Sequence, residues 1–402
     1  MKNILVIGFS TRNIVCSGKR AGYNMFAIDA FCDSDMLECV EAAIKLDVGE
    51  GFDARNIEPS RLSEMIENFG IDFDAIIPAS GFETMKFPER FPILQNEYNI
   101  MREVSDKSRF AKILASLDMP HPQTYPLAEL EDINYPAMVK PACSGGGILN
   151  RVVSSPEELH IYLKCLSKLQ VPFRKENMIL QDYLLGTPAS VSVISTESEA
   201  RTIAINEQLI GIPWLTKLPF AYCGNITPFI TPYANQMKNI AEELIIELGL
   251  IGSTGVDFLI TKDGPVIIEV NARFQGSLDT VEMATGSNIF GAHMQAFDGS
   301  IRPEVTGSKQ YAVRAILYGD RDKEITDNIH NTILEKQIAD VPNVGDMIHV
   351  DEPLTSVLST GHSRGAAINK AKRSVMFIRE CLDLGTSHEG NPTTNSTYVH
   401  NI

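Results

Sequence analysis

Short apolar runs punctuate the chain, and the spacing of polar residues around them changes along its length. "KNILVIGFSTRNIVCSGKRAGYNMFAIDAF" opens with a continuous apolar run at Ile4–Ile7, the pattern of a buried strand. A helix over Arg12–Arg20 follows, ended near Gly22, and a second strand at Met25–Ile28 closes on Asp29. This is a β-α-β unit. A later strand, "DAIIPAS", runs into Gly81-Phe82-Glu83. Near Asn96 the texture changes. "SDKSRFAKILASLDMPHPQTYPL" predicts a helix capped around Ser105 with Asp106 in its first turn, stopping before Pro120 and continuing extended. From there to about residue 300, strands mix with a helix over 233–248. Short glycine-containing turns between adjacent strands predict antiparallel sheets. A last stretch, 305–383, gives strands at "YAVRAILYG" and "PLTSVLSTG" and a helix over 363–382. The tail, "GTSHEGNPTTNSTYVHNI", is poor in apolar residues and is expected to be mobile. The class is α/β and α+β, with no internal repeat.

Bulk properties narrow the function classes. A chain of 402 residues is too long for one ordinary core, so two or three domains are expected. Apolar content of 44% and charged content of 21% are those of a soluble globular protein. A net charge of −16 speaks against nucleic-acid partners and against an anionic membrane surface. The seven cysteines are odd in number and form no C-x-x-C, so neither a disulfide framework nor a zinc site is expected, which fits a cytoplasmic location. The N-terminal apolar run is too short for a secretory signal, and no stretch approaches the roughly 18 apolar residues of a membrane span. The glycosylation patterns at Asn225 and Asn395 then have no meaning.

Candidate chemistry sits on polar positions that interrupt apolar strands. The loop Gly8-Phe9-Ser10-Thr11-Arg12-Asn13 is not G-x-G-x-x-G, so no dinucleotide site is specified. Ligands of open α/β sheets nevertheless bind beyond the carboxyl ends of strands, which makes Ser10, Thr11, Arg12, Ser80 and Glu83 candidates for contacting substrate. "TGVDFLITKDGPVIIEVNAR" reads as a hairpin. A loop at Lys262-Asp263-Gly264 places Asp257 directly opposite Glu269. A loop at Asp263-Gly264 would pair Asp257 with Val270 and put the two acids on opposite faces. Facing carboxylates repel unless a cation lies between them. With the Asn271 oxygen on the same face, the set suits a hard cation, Mg2+ or Mn2+. Arg273 continues that face, about 13 Å from Glu269 in an extended strand, placed to hold a phosphoryl or carboxylate group. In "VKPACSGGGI", Lys140 precedes a loop, Ser144-Gly145-Gly146-Gly147, whose backbone N–H groups can approach phosphate closely. The lysine precedes the glycines, so this is not a Walker A loop.

Taken together and in this order, these segments resemble the ATP-grasp superfamily, and in particular its carboxylate–amine ligases and biotin carboxylase. The resemblance implies an ATP-grasp fold: an N-terminal Rossmann-like (pre-ATP-grasp) domain over 1–100, a two-lobed ATP-grasp domain over 101–300, a small C-terminal α+β segment rich in strand over 301–385, and a flexible tail over 386–402. It implies that Lys107 and Lys140 hold ATP phosphates, that Ser144, Gly145, Gly146 and Gly147 close over them, and that Gln181, Asp182 and Leu184 form the adenine hinge with Leu259 packed on the purine. Asp257, Glu269 and Asn271 would bind Mg2+, and Arg273 and Lys140 would be catalytic. The implied reaction is ATP-dependent ligation: a small-molecule carboxylate becomes an acyl phosphate with formation of ADP, and an amine or other nucleophile displaces phosphate. A bicarbonate-activating carboxylase and a non-catalytic nucleotide sensor are the alternatives. A homodimer is the family-level expectation. One departure stands out: where family members often carry a glutamate for the ribose, this chain has Gly186-Thr187-Pro188-Ala189-Ser190.

Overall fold

The N-terminal apolar runs pair in parallel. In the computed structural model, which describes residues 1–47, 57–127, 133–143, 145–167, 177–301, 307–334 and 338–384, the first elements are β1 (Asn3–Gly8), α1 (Arg12–Arg20), β2 (Asn24–Asp29), α2 (Ser34–Leu37), β3 (Ala42–Lys45), α3 (Pro59–Glu67) and β4 (Ala75–Pro78). They build a four-stranded parallel sheet in the order β3-β2-β1-β4. Both faces of β1, β2 and β4 are largely covered, which is why these three strands read as apolar runs, whereas the edge strand β3 is half-buried to exposed. Ile4, Val6, Met25 and Ala27 pack with Ile14 and Val15 of α1. Leu5, Ile7, Ile28 and Ile76 pack with Leu62 and Ile66 of α3.

The next two helices are α4 (Tyr98–Ser105) and α5 (Lys107–Ser116). The cap expected near Ser105 is Asp106, whose side chain accepts from Ser108 N (2.9 Å) and Arg109 N (3.2 Å). The carboxylate does the capping because it can satisfy two orphan N–H groups at the positive end of the helix. β5 (Thr124–Pro126), β6 (Ala137–Pro141), β7 (Arg151–Val153), α6 (Pro156–Leu166) and β8 (Met178–Asp182) then form a small antiparallel sheet ordered β5-β8-β6-β7, with α6 packed on it.

The large sheet follows: β9 (Thr187–Ser195), β10 (Ala200–Ile210), β11 (Tyr222–Thr227), α7 (Ala234–Glu247), β12 (Gly252–Thr261), β13 (Gly264–Asn271), α8 (Leu278–Thr285), α9 (Ile289–Phe297) and β14 (Tyr311–Tyr318). The chain ends with β15 (Lys323–Glu324), α10 (Asp327–Leu334), β16 (Ile338–Ala339), β17 (Met347–Ile348), β18 (Pro353–Gly361) and α11 (Arg364–Leu384). Eight strands join in the order β13-β12-β9-β10-β11-β14-β18-β16, so β14, β18 and β16 extend the same sheet, while β15 and β17 pair as a separate two-stranded sheet. Strand alternation splits it into two faces. Ala189, Val191, Val193, Val256, Phe258 and Val270 turn to α7 and the α4–α5 pair. The opposite face carries Ser190, Ser192, Asn206, Asn225 and Thr227, all buried and hydrogen-bonded to one another or to α8. Asn225, matching a glycosylation pattern, is wholly buried there.

Two features were not foreseen. Cys16 of α1 is disulfide-bonded to Cys39, their Cα atoms 5.0 Å apart, which corrects the expectation of no disulfide and removes cysteine usage as an argument for a reducing compartment. Their separation of 23 residues carries no spacing motif, and only the return of the chain beside α1 brings them together. Among the described residues no helix is long and apolar enough to cross a membrane.

The second feature is an acid-rich joint between the parallel sheet and the later elements. Burial, and then the nearby carboxylates of Asp340, Asp29 and Asp35, push the Asp33 carboxyl up to about 9 against the pull of Arg12. The folded protein therefore holds a proton at Asp33 that the unfolded chain, with a carboxyl pKa of roughly 3.9, releases. A raised carboxyl contributes stability that is present below the unfolded value and lost as pH rises through the folded one. Asp33→Asn should remove that loss: the variant gains at least about 1 kcal/mol over the parent by about pH 8, with a smaller gain near pH 5. Urea denaturation of both proteins across that range checks it.

Candidate active site

The site is built on the β12–β13 hairpin. Asp257 lies directly opposite Glu269, but not by the route the loop length suggested. The turn is Lys262-Asp263, with Thr261 paired to Gly264, and Gly264 has the positive φ (+122°) that a glycine adopts without strain. Continued without interruption, that register would set Asp257 against Ile268. A β-bulge between the Asp257 and Phe258 pairings inserts one extra residue on β13 and shifts the register, so Val256 faces Val270 and Gly255 faces Asn271. The expected three-residue loop is therefore corrected to a two-residue turn plus a bulge, with the same pairing of acids. The sequence could not separate the two routes, because both leave the alternating pattern unchanged at the acids.

The charges around this pair are strongly perturbed. Lys107, the first residue of α5, places its Nζ 3.1 Å from Glu269 Oε2, and its backbone N–H donates to Ala142 O (3.0 Å), fixing the helix start against the end of β6. Desolvation works to raise the Glu269 carboxyl, but Lys107 and Lys140 outweigh it and hold it at about 2. Asp257 goes the other way: desolvation and then the charge of Glu269 push it up to about 8. Lys140 is buried in β6, and burial together with neighbouring Lys107 lowers it to about 7, against the pull of Glu269. Asp257 thus keeps a proton because a second negative charge is unsupported there. A divalent cation can take the place of that proton, so the donor set fits one. Among the described residues no three or more His, Cys, Asp and Glu side chains cluster as metal ligands. The third oxygen would be an amide, that of Asn271, once its side chain turns over, since here Nδ2 faces the acids and Oδ1 faces Arg273.

Asn271 and Arg273 continue the same line. Asn271 Nδ2 reaches Asp257 Oδ2 (3.3 Å) and Glu269 Oε1 (3.5 Å), and its Oδ1 accepts from Arg273 Nη2 (3.0 Å). Arg273 Nε donates to Glu83 Oε1 (2.9 Å) and Nη1 to Phe274 O (3.1 Å). The loop after β4 is thereby tied to the carboxylate pair through two side chains. Gln208 of β10 also hydrogen-bonds Asp257. The pattern does not single it out, because "AINEQL" sets Asn206, Glu207 and Gln208 in an unbroken polar run without the alternation that marks β13.

The remaining candidates divide. Ser10 and Ser80 are half-buried at the carboxyl edge of the parallel sheet. Thr11 and Arg12 are consumed internally, contrary to a substrate-contacting role. Thr11 donates through N (2.6 Å) and Oγ1 (2.8 Å) to Asp29 Oδ2. Arg12 is buried, forks onto Asp279 (2.9 and 2.5 Å) and donates to Asp340 (2.9 Å). The physical reason is that α8 and the segment around residue 340 pack on the start of α1, where an unpaired cation could not remain.

Ser144 lies outside the described residues. Gly145 and Gly146 are open to solvent, Gly146 O accepts from Tyr222 N (3.0 Å), and Gly147 (φ +73°) lies so close to the Phe220 carbonyl that a Cβ would collide with it. Gln181, on β8, is buried and donates to Thr124 Oγ1 (2.9 Å). The Asp182 N–H is occupied by Gln123 O (3.0 Å), while Leu184 is half-buried. Leu259 pairs with Val266 and Pro188, on the face of Asp257. Gly186 packs on the Ile260 carbonyl, and where a ribose carboxylate was sought the structure brings up Pro188.

Residues 104–277 match the family model described as an ATP-grasp domain. This stretch is an ATP-grasp domain. Its bounds take in Lys107, Lys140, the glycine loop and the whole carboxylate hairpin. Over most of its length the chain is 26% identical to an uncharacterised protein of Methanocaldococcus jannaschii, with 88% of this chain and 87% of that one covered. The ATP-grasp fold extends beyond the matched stretch. The biotin carboxylase domain dimer of 2-oxoglutarate carboxylase from Hydrogenobacter thermophilus, a complex with MgADP, ADP and bicarbonate, superposes with a TM-score of 0.70 at 16% identity over 94% of this chain and 89% of that one. L-amino acid ligase from Bacillus licheniformis superposes with a TM-score of 0.65 at 18% identity over 95% and 97%.

Proposed function

We propose that the protein is an ATP-dependent ligase that activates a small-molecule carboxylate as an acyl phosphate, releasing ADP, and joins it to an amine or another nucleophile. The observation that carries this reading is the facing pair Asp257 and Glu269, flanked by Lys107 at 3.1 Å and by buried Lys140, inside an ATP-grasp domain. Asp257, Glu269 and Asn271 would hold Mg2+, which would neutralise phosphate charge when bound. Lys107 and Lys140 would bind phosphate oxygens, and Gly145–Gly147 would offer backbone N–H groups. Gln181, Asp182 and Leu184 would border the adenine, with Leu259 against its face. Arg273, fixed by Glu83 and Asn271, would orient the transferring phosphoryl and stabilise its charge. Ser10 and Ser80 would line the substrate end. Phosphoryl transfer asks the protein for positioning and charge neutralisation rather than a nucleophile, and this constellation supplies both.

A screen of acid and amine pairs with Mg·ATP tests it, with hydroxylamine present in a parallel series to trap acyl phosphate as hydroxamate. The expected result is ADP formation that needs an acid. AMP and pyrophosphate would overturn the reading, and labelled bicarbonate appearing in product would replace it by the carboxylase reading.

A further inference from the structure

Glu83 has an oxygen the rest of the molecule does not use. Its Oε1 accepts from Arg273 Nε at 2.9 Å, while Oε2 is buried and, among the described residues, accepts no hydrogen bond. Arg273 does not fork onto it: Nη1 turns to Phe274 O and Nη2 to Asn271 Oδ1. A carboxylate oxygen removed from water needs a donor, and a charged one contributes most. The residue stands past the carboxyl end of β4, at the edge where open parallel sheets receive ligands. Arg273 and Asn271 connect it in two steps to the Asp257–Glu269 pair, so whatever binds Oε2 is linked to that pair through these two side chains. Glu83 and Arg273 neutralise each other, so a further positive group faces the excess negative charge of nucleotide and acyl phosphate rather than a bare cation.

We infer that Glu83 Oε2 is the anchor for the amine of the nucleophilic substrate, a primary or secondary ammonium that donates N–H to it on binding, then loses one proton to solvent so that the free amine attacks the acyl carbon and phosphate leaves. This rests on the ligase reading above and names the class of its second substrate. Glu83 binds that substrate directly, and Ser10 and Ser80 are half-buried at the same sheet edge.

The test is a calorimetric titration of the full chain, saturated with Mg2+ and ADP, using ethylamine, glycinamide and the common L-amino acids as probes. Tetramethylammonium, which has charge but no N–H, is the control. At least one primary amine should bind saturably. Glu83→Gln, which keeps an acceptor for Arg273 but turns Oε2 into a donor, should weaken it on the order of tenfold or more, with ADP affinity changed less than about twofold. Glu83→Asp should fall between the two, and ADP binding reports that each variant is folded. The inference is overturned if no primary amine binds the parent protein, if tetramethylammonium binds as well as the amines do, or if amine affinity is the same in Glu83→Gln. The two readings fail separately: Glu83-dependent amine binding without ADP formation from any acid and amine would sink the ligase reading alone, whereas ADP formation with an unchanged amine KM in Glu83→Gln would sink the anchor alone.

Discussion

Glu269→Gln should bind ADP almost equally with and without Mg2+, and should turn over about 10²–10³-fold more slowly than the parent protein. Glu269 is the negative centre of the site. It faces Asp257 across the hairpin, accepts from Lys107 at 3.1 Å, and lies 3.5 Å from Asn271 Nδ2. Its carboxyl, held at about 2, is ionised at any working pH, whereas Asp257, pushed up to about 8, is not until a cation arrives. The amide keeps the shape and removes the one permanent charge, so a hard cation loses its strongest ligand and Lys107 loses its partner. Titration calorimetry of ADP with and without Mg2+ reads the first effect, and initial rates read the second. A variant whose Mg2+-dependence matches the parent would show that the metal is held elsewhere.

Arg12→Met should cost about 3–5 kcal/mol of stability at neutral pH, the largest effect expected of any substitution away from the carboxylate hairpin. Arg12 joins residues far apart in the chain: Asp279 in α8 through a two-pronged contact, and Asp340 through Nε. Methionine fills much of the volume and leaves those carboxylates without their cation, while Arg314 still holds Asp340 Oδ2 at 2.6 Å. Burial works to raise Asp340, but Arg12 and Arg314 hold it well below the usual carboxylate range. A depressed carboxyl stabilises the fold above its unfolded value and loses that contribution as pH falls through the folded one. The gap between parent and variant should therefore be widest near neutrality and narrow on acidification, as protons neutralise the orphaned acids. Urea denaturation of both proteins at neutral and acid pH measures it. Arg12→Lys should recover only part of the loss, because an ammonium cannot fork onto Asp279.

Residues that the hydrophobic pattern describes well are those whose burial is set by neighbours in sequence. Arg12–Arg20 is the helix its spacing predicts, and β1 and β2 are the apolar runs on either side. The facing of Asp257 and Glu269 was also legible, since Glu269, Asn271 and Arg273 interrupt an apolar strand at alternate positions. Glu83 and Arg12 show the limit. Both were singled out as loop residues at strand ends, yet one is bound to Arg273 and the other is sealed among aspartates. Nothing in the local sequence distinguishes a charge that meets solvent from one that meets a partner two hundred residues away.

By itself, then, the sequence determined which segments are strands and helices, which face of the hairpin is polar, and that lysines, acids and a glycine loop suited to ATP phosphates follow one another in order. Periodicity reports burial, and burial of a segment's own face is a local quantity. Only the tertiary structure decided the bulge that sets the hairpin register, the continuation of the large sheet through β14 and β18, the Cys16–Cys39 bond, and the relay from Glu83 to the acid pair. Each of these depends on which distant group arrives opposite, and charge pairing and strand addition are settled by that arrival rather than by the spacing of residues along the chain.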